Sequence, residues 1–181
     1  SNEEDSFGDS RLGNILTDIL KLQTQSELAF YNNSGIRSSI PAGKILYRDV
    51  YQVEPFGNTI YTMKLKGSDI KKFIESMLND PYHSMQLSGL ILKYYKNKSD
   101  SKYYIESLKL ENGDDFKTNR KYKVAVPNYI GGANDGYTLF GKGEEKYDTL
   151  ICIRDGLNDF LKTNNPYKYG LSKRIIFTGE K

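Results

Sequence analysis

The sequence predicts an α+β domain, a mixed or antiparallel sheet with helices packed on it, formed as one unit. Three observations carry this. Apolar residues recur at helical spacing over about 11–24 and again over about 68–79. Residues 59–66 alternate with the period of a strand. The second half is strand-rich, with turn signals between short apolar runs and no internal repeat or linker that would split the chain.

Residues 1–10 are acidic and contain glycine, and are expected to be a lead-in or linker, with the folded domain spanning 11–181. The opening Ser1-Asn2 is expected to mark a cut from a longer chain, any targeting segment lying upstream. Leu12, Ile15, Leu16, Ile19 and Leu20 form the stripe of the first helix. Arg11 stands at its start, where the helix dipole disfavours a cation, so it calls for a ligand phosphate or a carboxylate partner. Leu28–Tyr31 reads as a short strand, Lys44–Tyr47 as another, and Arg48–Val53 as a helical turn. In residues 59–66, Ile60 and Thr62 face one side, and Tyr61, Met63 and Leu65 the other. Gly67-Ser68 supplies a turn with Ser68 as N-cap, and Ile70, Phe73, Ile74, Met77 and Leu78 form a core stripe up to Asn79-Asp80-Pro81.

Met85–Tyr95 reads as one buried strand interrupted at Gly89. The polar run Lys96–Lys102 is a hairpin loop to a partner strand, Tyr103–Leu110, which ends at an Asn112-Gly113 turn. Tyr122–Val126 is a further strand, followed by a glycine-rich loop over Pro127–Tyr137. Residues 147–163 are expected to form a last helix and Arg174–Thr178 a closing strand.

Composition excludes several functions. A hydrophobic content of 38% with 13% aromatic residues is that of a globular chain with a real core. A net charge of +3 with no block of like charges argues against a nucleic-acid-binding arm. No apolar run reaches the length of a membrane span, and no signal-peptide pattern opens the chain. The single cysteine, Cys152 between Ile151 and Ile153, cannot form an intrachain disulfide and reads as a buried thiol. The single histidine, His83 in a turn beside Pro81 and Tyr82, reads as solvated. One histidine cannot furnish a dinuclear metal centre, and no hydrolase or phosphate-loop motif is present. No catalytic residue and no metal site is therefore expected in this stretch.

Two loop regions carry chemistry instead. Asn32–Arg37 is a polar turn ending in an arginine, and Pro55-Phe56-Gly57-Asn58 holds an aromatic between punctuating residues. A nucleoside monophosphate has a flat base, two vicinal hydroxyls and a phosphate. Bases stack on aromatic faces, a carboxylate accepts from ribose hydroxyls, and phosphate takes a guanidinium fork. Phe56 and Tyr129 are candidate stackers, Asp135 a candidate ribose acceptor, and Arg11 and Arg37 candidates for phosphate or ribose.

The same residues carry a resemblance. Arg11-Leu12-Gly13-Asn14 with Asp18, Asn32–Arg37 (family pattern NGGGIR), Pro55–Asn58, Lys66-Gly67, Leu87–Leu90, Pro127-Asn128-Tyr129 and Asp135-Gly136-Tyr137 (family pattern GGDGY) follow one another in order. Over about residues 10–178 the chain resembles the C-terminal, substrate-recognition domain of the 5′-nucleotidase and UDP-sugar hydrolase family. The resemblance implies that Phe56 and Tyr129 clamp the base and Asp135 holds the ribose. It implies further that Asn32 reaches base or ribose, and that Arg11 and Arg37 address ribose and phosphate. It places catalysis, with two divalent metal ions, in a separate N-terminal metallophosphoesterase domain, so this stretch alone is expected to be inactive. It implies a bacterial, exported protein, periplasmic or at the cell surface, that takes part in nucleotide catabolism. Ala133-Asn134 stands where the family has a glycine pair, and Asn33-Ser34 replaces two glycines; both are expected to narrow the pocket or change base preference. A 2′,3′-cyclic phosphodiesterase with 3′-nucleotidase activity remains open as an alternative, as does a non-enzymatic surface or nucleic-acid-binding module.

Overall fold

The computed structural model describes residues 9–164 and 172–181. Helix α1 (Arg11–Thr24) starts where the Ser10 hydroxyl accepts a 3.0 Å hydrogen bond from Gly13 N, and stops where Gln25 turns left-handed. Asp9 and Ser10 are buried, so they belong to the folded unit; the rest of the expected lead-in, residues 1–8, lies outside the described residues. Strand β1 (Leu28–Asn32) is buried along its whole length and leads through a 3-10 turn, Asn33–Gly35, to α2 (Tyr47–Val53). Then come β2 (Thr59–Lys66), α3 (Gly67–Leu78), a 3-10 turn at Pro81–His83, β3 (Met85–Ser88) and β4 (Leu90–Lys96). The chain continues through β5 (Tyr103–Leu110), β6 (Lys121–Pro127), α4 (Asn128–Gly131), a 3-10 turn at Asn134–Gly136, and α5 (Thr138–Gly141). It closes with β7 (Glu144–Cys152), α6 (Ile153–Thr163) and β8 (Ile175–Glu180).

The expected α+β class holds, with two sheets. Five strands in the order β3-β1-β6-β2-β7 form the main sheet, in which only β1 and β6 run parallel. Three strands, β5-β4-β8, form the second. The alternation of β2 separates the core into two layers. Ile60 packs with Ala29, Tyr31 and Ala125 against α1, α2 and α6, whereas Met63 and Leu65 pack with Phe30 and Val124 against α3 and the second sheet. Burying each such side chain contributes about 1.5–3 kcal/mol before entropy is counted.

Five sequence expectations are corrected. Met85–Tyr95 is two strands in different sheets, because Gly89, at φ +88°, turns the chain so close to the Glu27 carbonyl that a Cβ would lie 2.1 Å from it. Lys44–Leu46 is not a strand; Tyr47 already opens α2, whose start is held by a 2.7 Å bond from Leu46 N to the Asp49 carboxylate. Ser68 is not the N-cap of α3; Lys66 is, and the first helical residue is Gly67, where a Cβ would lie 2.3 Å from Lys117 O. Residues 147–152 are strand, not helix: β7 pairs with the outer side of β2, and Cys152 at its end is half-buried. The loop after Pro127 contains the one-turn helix α4 and a 3-10 turn.

Candidate functional site

Strand register brings the candidate loops to one end of the main sheet. Asn32, the last residue of β1, is paired with Met85, the first of β3. Pro127, the last of β6, is paired with Ile60, near the start of β2. Cys152, the last of β7, is paired with Thr59. The segments beyond these residues, 33–37, 54–58, 81–84, 128–137 and the start of α6, therefore emerge together. Phe56 lies just ahead of β2 and Tyr129 just beyond β6, so two residues far apart in sequence leave neighbouring strands at the same end.

Each segment is held by polar contacts. Asn32 is buried, and its amide donates to Ser34 Oγ at 2.9 Å. Asn33 donates from its side chain to Ser84 Oγ at 2.9 Å and accepts from Gln86 Nε2 at 2.6 Å. Gln86 Oε1 in turn accepts from Ser10 N at 3.0 Å. That chain of bonds sets the N-terminus of α1, and with it the exposed Arg11, beside the Asn32–Arg37 turn. Arg37 is exposed and donates to Ser34 O at 3.2 Å. The Asn33 side chain that replaces a family glycine is thus engaged with β3 and the residues before it.

The Phe56 loop is built on a carboxylate that sequence reasoning missed. Glu54 is fully buried and accepts from Gly57 N (3.1 Å), Asn58 N (3.2 Å) and Asn58 Nδ2 (2.8 Å). Those three bonds fold residues 54–58 into a tight loop, with Gly57 at φ +69°, and leave Phe56 61% exposed at its apex. Arg154, at the start of α6, donates to Glu54 O at 3.2 Å and lies 4.7 Å over the Tyr51 ring. A glutamate three residues ahead of a Gly-Asn pair was the available signal.

On the opposite loop, Tyr129 is 39% exposed and its hydroxyl donates to Asp135 Oδ2. This bond raises the Tyr129 hydroxyl above the ordinary tyrosine range. Asp135 is exposed, and its other carboxylate oxygen has no partner among the described residues. Asn134, at the second altered glycine position, donates to Tyr129 O at 2.7 Å. Tyr137 is buried, which raises its hydroxyl above the ordinary tyrosine range. His83 is not the solvated residue expected from sequence. Its Nδ1 lies 2.5 Å from Asp80 Oδ2, its Nε2 2.7 Å from Asp135 O, and its ring packs edge-on against Tyr137 with centroids 5.1 Å apart.

A cleft of about 250 Å³ opens between α3 and α5, lined among others by Asp69, Lys72, Asp80, His83, Gly136 and Lys142. It shares His83 and Gly136 with the Asp135 loop and includes none of Phe56, Tyr129, Asn32 or Arg37. Among the described residues no group of three or more His, Cys, Asp or Glu side chains is placed to hold a metal ion. No helix among them is long and apolar enough to cross a membrane.

The family model for the 5′-nucleotidase C-terminal domain matches residues 1–142. The chain belongs to this family. The 5′-nucleotidase precursor of Thermus thermophilus is 31% identical and superposes with a TM-score of 0.78 over 93% of this chain and 35% of its own. The NAD nucleotidase of Haemophilus influenzae shares the fold at 23% identity, with a TM-score of 0.79 over 98% of this chain and 34% of its own. A cell wall protein of Listeria monocytogenes is 29% identical over 74% of this chain and 19% of its own length. This 5′-nucleotidase C-terminal domain spans between 10% and 32% of the length of the first curated relatives it matches.

Proposed function

We propose that this domain grips the base and ribose of a nucleotide and presents the phosphate to an N-terminal metallophosphoesterase domain, whose two divalent metal ions hydrolyse the ester. In this reading Phe56 and Tyr129 stack on the base and Asp135 accepts from the ribose hydroxyls. Asn32 reaches base or ribose, and Arg11 and Arg37 address ribose and phosphate. The observation that supports it most is the pair of exposed rings on neighbouring strand ends, with a half-free carboxylate bonded to one of them. Aromatic side chains so placed forgo burial, which a stacked base would restore. The relatives named 5′-nucleotidase or NAD 5′-nucleotidase support hydrolysis of a phosphate ester by the full-length protein. The Listeria relative, named a cell wall protein, supports an exported location. We assign both metal ions to the N-terminal domain, and the isolated chain is accordingly inactive as a phosphatase.

Calorimetry or ligand-observed NMR with adenosine and AMP tests the site. Two stacking contacts supply about 2–6 kcal/mol, against an association cost of about 4–15 kcal/mol, so binding by the isolated chain is expected near or above about 1 mM. Phe56→Ala and Tyr129→Ala each weaken it by about fivefold or more. Asp135→Asn weakens ribosides more than free bases. Micromolar binding that survives both aromatic substitutions would move the ligand elsewhere.

A further inference from the structure

We infer that His83 is a positioning residue, which as an imidazolium holds the Asp135 loop in place by donating to Asp80 on one side and to the Asp135 carbonyl on the other. The donors and acceptors around the ring decide its protonation. Asp80 Oδ2 is 2.5 Å from Nδ1, and the Asp80 carboxylate, whose other oxygen accepts from Tyr82 N at 3.0 Å, offers no proton. A backbone carbonyl, 2.7 Å from Nε2, has none to offer either. A neutral imidazole carries one N–H and can satisfy only one of these partners; the imidazolium satisfies both. The loop is shaped for this approach. Gly136 stands at φ +84°, and a Cβ there would fall 2.8 Å from His83 Nε2. The Tyr137 ring packs edge-on against the imidazole.

Charged neighbours bear on the proton. Asp80, on the same turn, and Asp135, on the facing one, favour the imidazolium, while partial burial opposes it; Asp69, Lys72 and Lys142 line the same cleft. The Asp80 hydrogen bond is the largest influence and lifts His83 above the ordinary histidine range, with the carbonyl bond next. The folded value is therefore raised above the unfolded one. The contribution is fully present below about pH 6.5 and is lost as pH rises through the folded value. Loss of the second N–H frees the Asp135 carbonyl, and the loop that carries both Asp135 and the Tyr129 partner oxygen loosens. Tyr129 and Tyr137, both raised above the tyrosine range, stay protonated through that window.

The test follows the ring nitrogens of His83 and the backbone amides of residues 133–137 by NMR on the ligand-free 181-residue chain, from about pH 5.5 to about pH 9. Both nitrogens are expected to carry protons at about pH 6.5, where an ordinary histidine is half neutral, and the loop amides to titrate with the His83 midpoint. Asp80→Asn, which keeps an acceptor but removes the charge, moves both midpoints down toward about 6.5. His83→Gln abolishes the titration of the loop. A neutral ring at pH 6.5, loop amides indifferent to His83, or a midpoint unmoved by Asp80→Asn would overturn the inference. A second arm rests on the reading of Asp135 as the ribose acceptor: adenosine binding falls about fivefold between pH 6 and pH 9, and His83→Gln removes that slope while free adenine shows none. Should no nucleoside bind at any pH while the loop still follows His83, the nucleotide reading fails and the positioning role stands.

Discussion

The polar cluster around Arg174 and the one around Asp135 draw on the same residue types, and both include positions that carry the family resemblance. Around Arg174 the pairing is closed. Its Nη2 donates to both carboxylate oxygens of Asp18 at 2.9 and 2.8 Å, its Nη1 donates to Leu87 O at 3.2 Å, and its Nε meets Glu111 at 3.1 Å, with its side chain only 8% exposed. Asp18 also accepts from Ser88 Oγ at 2.6 Å, and Asp9 accepts from the backbone of Arg174 and Ile175. This knot joins α1, β3 and β8, and so ties the two sheets to one helix. Around Asp135 the pairing is left open: one carboxylate oxygen is free among the described residues, and two aromatic rings face outward. A motif residue whose polar atoms are all spent internally supports the fold. One with capacity left over at the surface is where a ligand can act.

The largest expected effect lies in the closed cluster. Arg174→Ala takes from the part-buried Asp18 the guanidinium that offsets its charge and should cost about 3 kcal/mol of stability, read from the urea midpoint. A cost below about 1 kcal/mol would mean that water reaches Asp18 and that the contrast between the clusters is one of degree. Phe56→Ala and Tyr129→Ala should instead leave the urea midpoint nearly unchanged, within about 0.5 kcal/mol for surface positions, while affecting ligand binding.

Glu54 falls between the two clusters, a buried carboxylate whose task is to shape an exposed loop. Glu54→Gln keeps the volume but presents an amide to donors, so it should cost about 1–2 kcal/mol of stability and weaken base stacking at Phe56 several-fold. If stability falls and stacking does not, the loop's shape is set by Gly57 and Arg154 instead.

What sequence reveals divides along the same line. The faces of β2 and the stripe of α3 were legible because burial imposes a period, and Ile60 against Met63 and Leu65 obeys it. The turn at Gly89 was not, because Leu87 and Leu90 are equally apolar although they belong to different sheets. β7 was misread because it is an edge strand, with Tyr147 and Leu150 exposed and with Glu145 and Leu150 at positive φ, so its period is broken. At the site, the residue types were legible and their supports were not. His83 meets Asp135 across 52 residues, and no local pattern announces a contact of that span.

The smallest expected effect tests whether the open cluster is held under strain. Ala133 stands at φ +61°, in the left-handed region, where the family pattern has glycine. That conformation costs an L-residue about 1–2 kcal/mol, and glycine would relieve it. Glycine also gives the unfolded chain more freedom, which offsets about 0.4–1 kcal/mol. The difference favours Ala133→Gly by about 0.5–1 kcal/mol, a small rise in the urea midpoint. The methyl group is half-buried in the turn that carries Asp135, so its packing is the competing term. A fall in stability would show that packing wins, and that the Asp135 loop is a well-packed element closer in kind to the Arg174 knot. A rise, with adenosine binding unchanged, would show that the site tolerates backbone strain where the knot tolerates no unpaired charge.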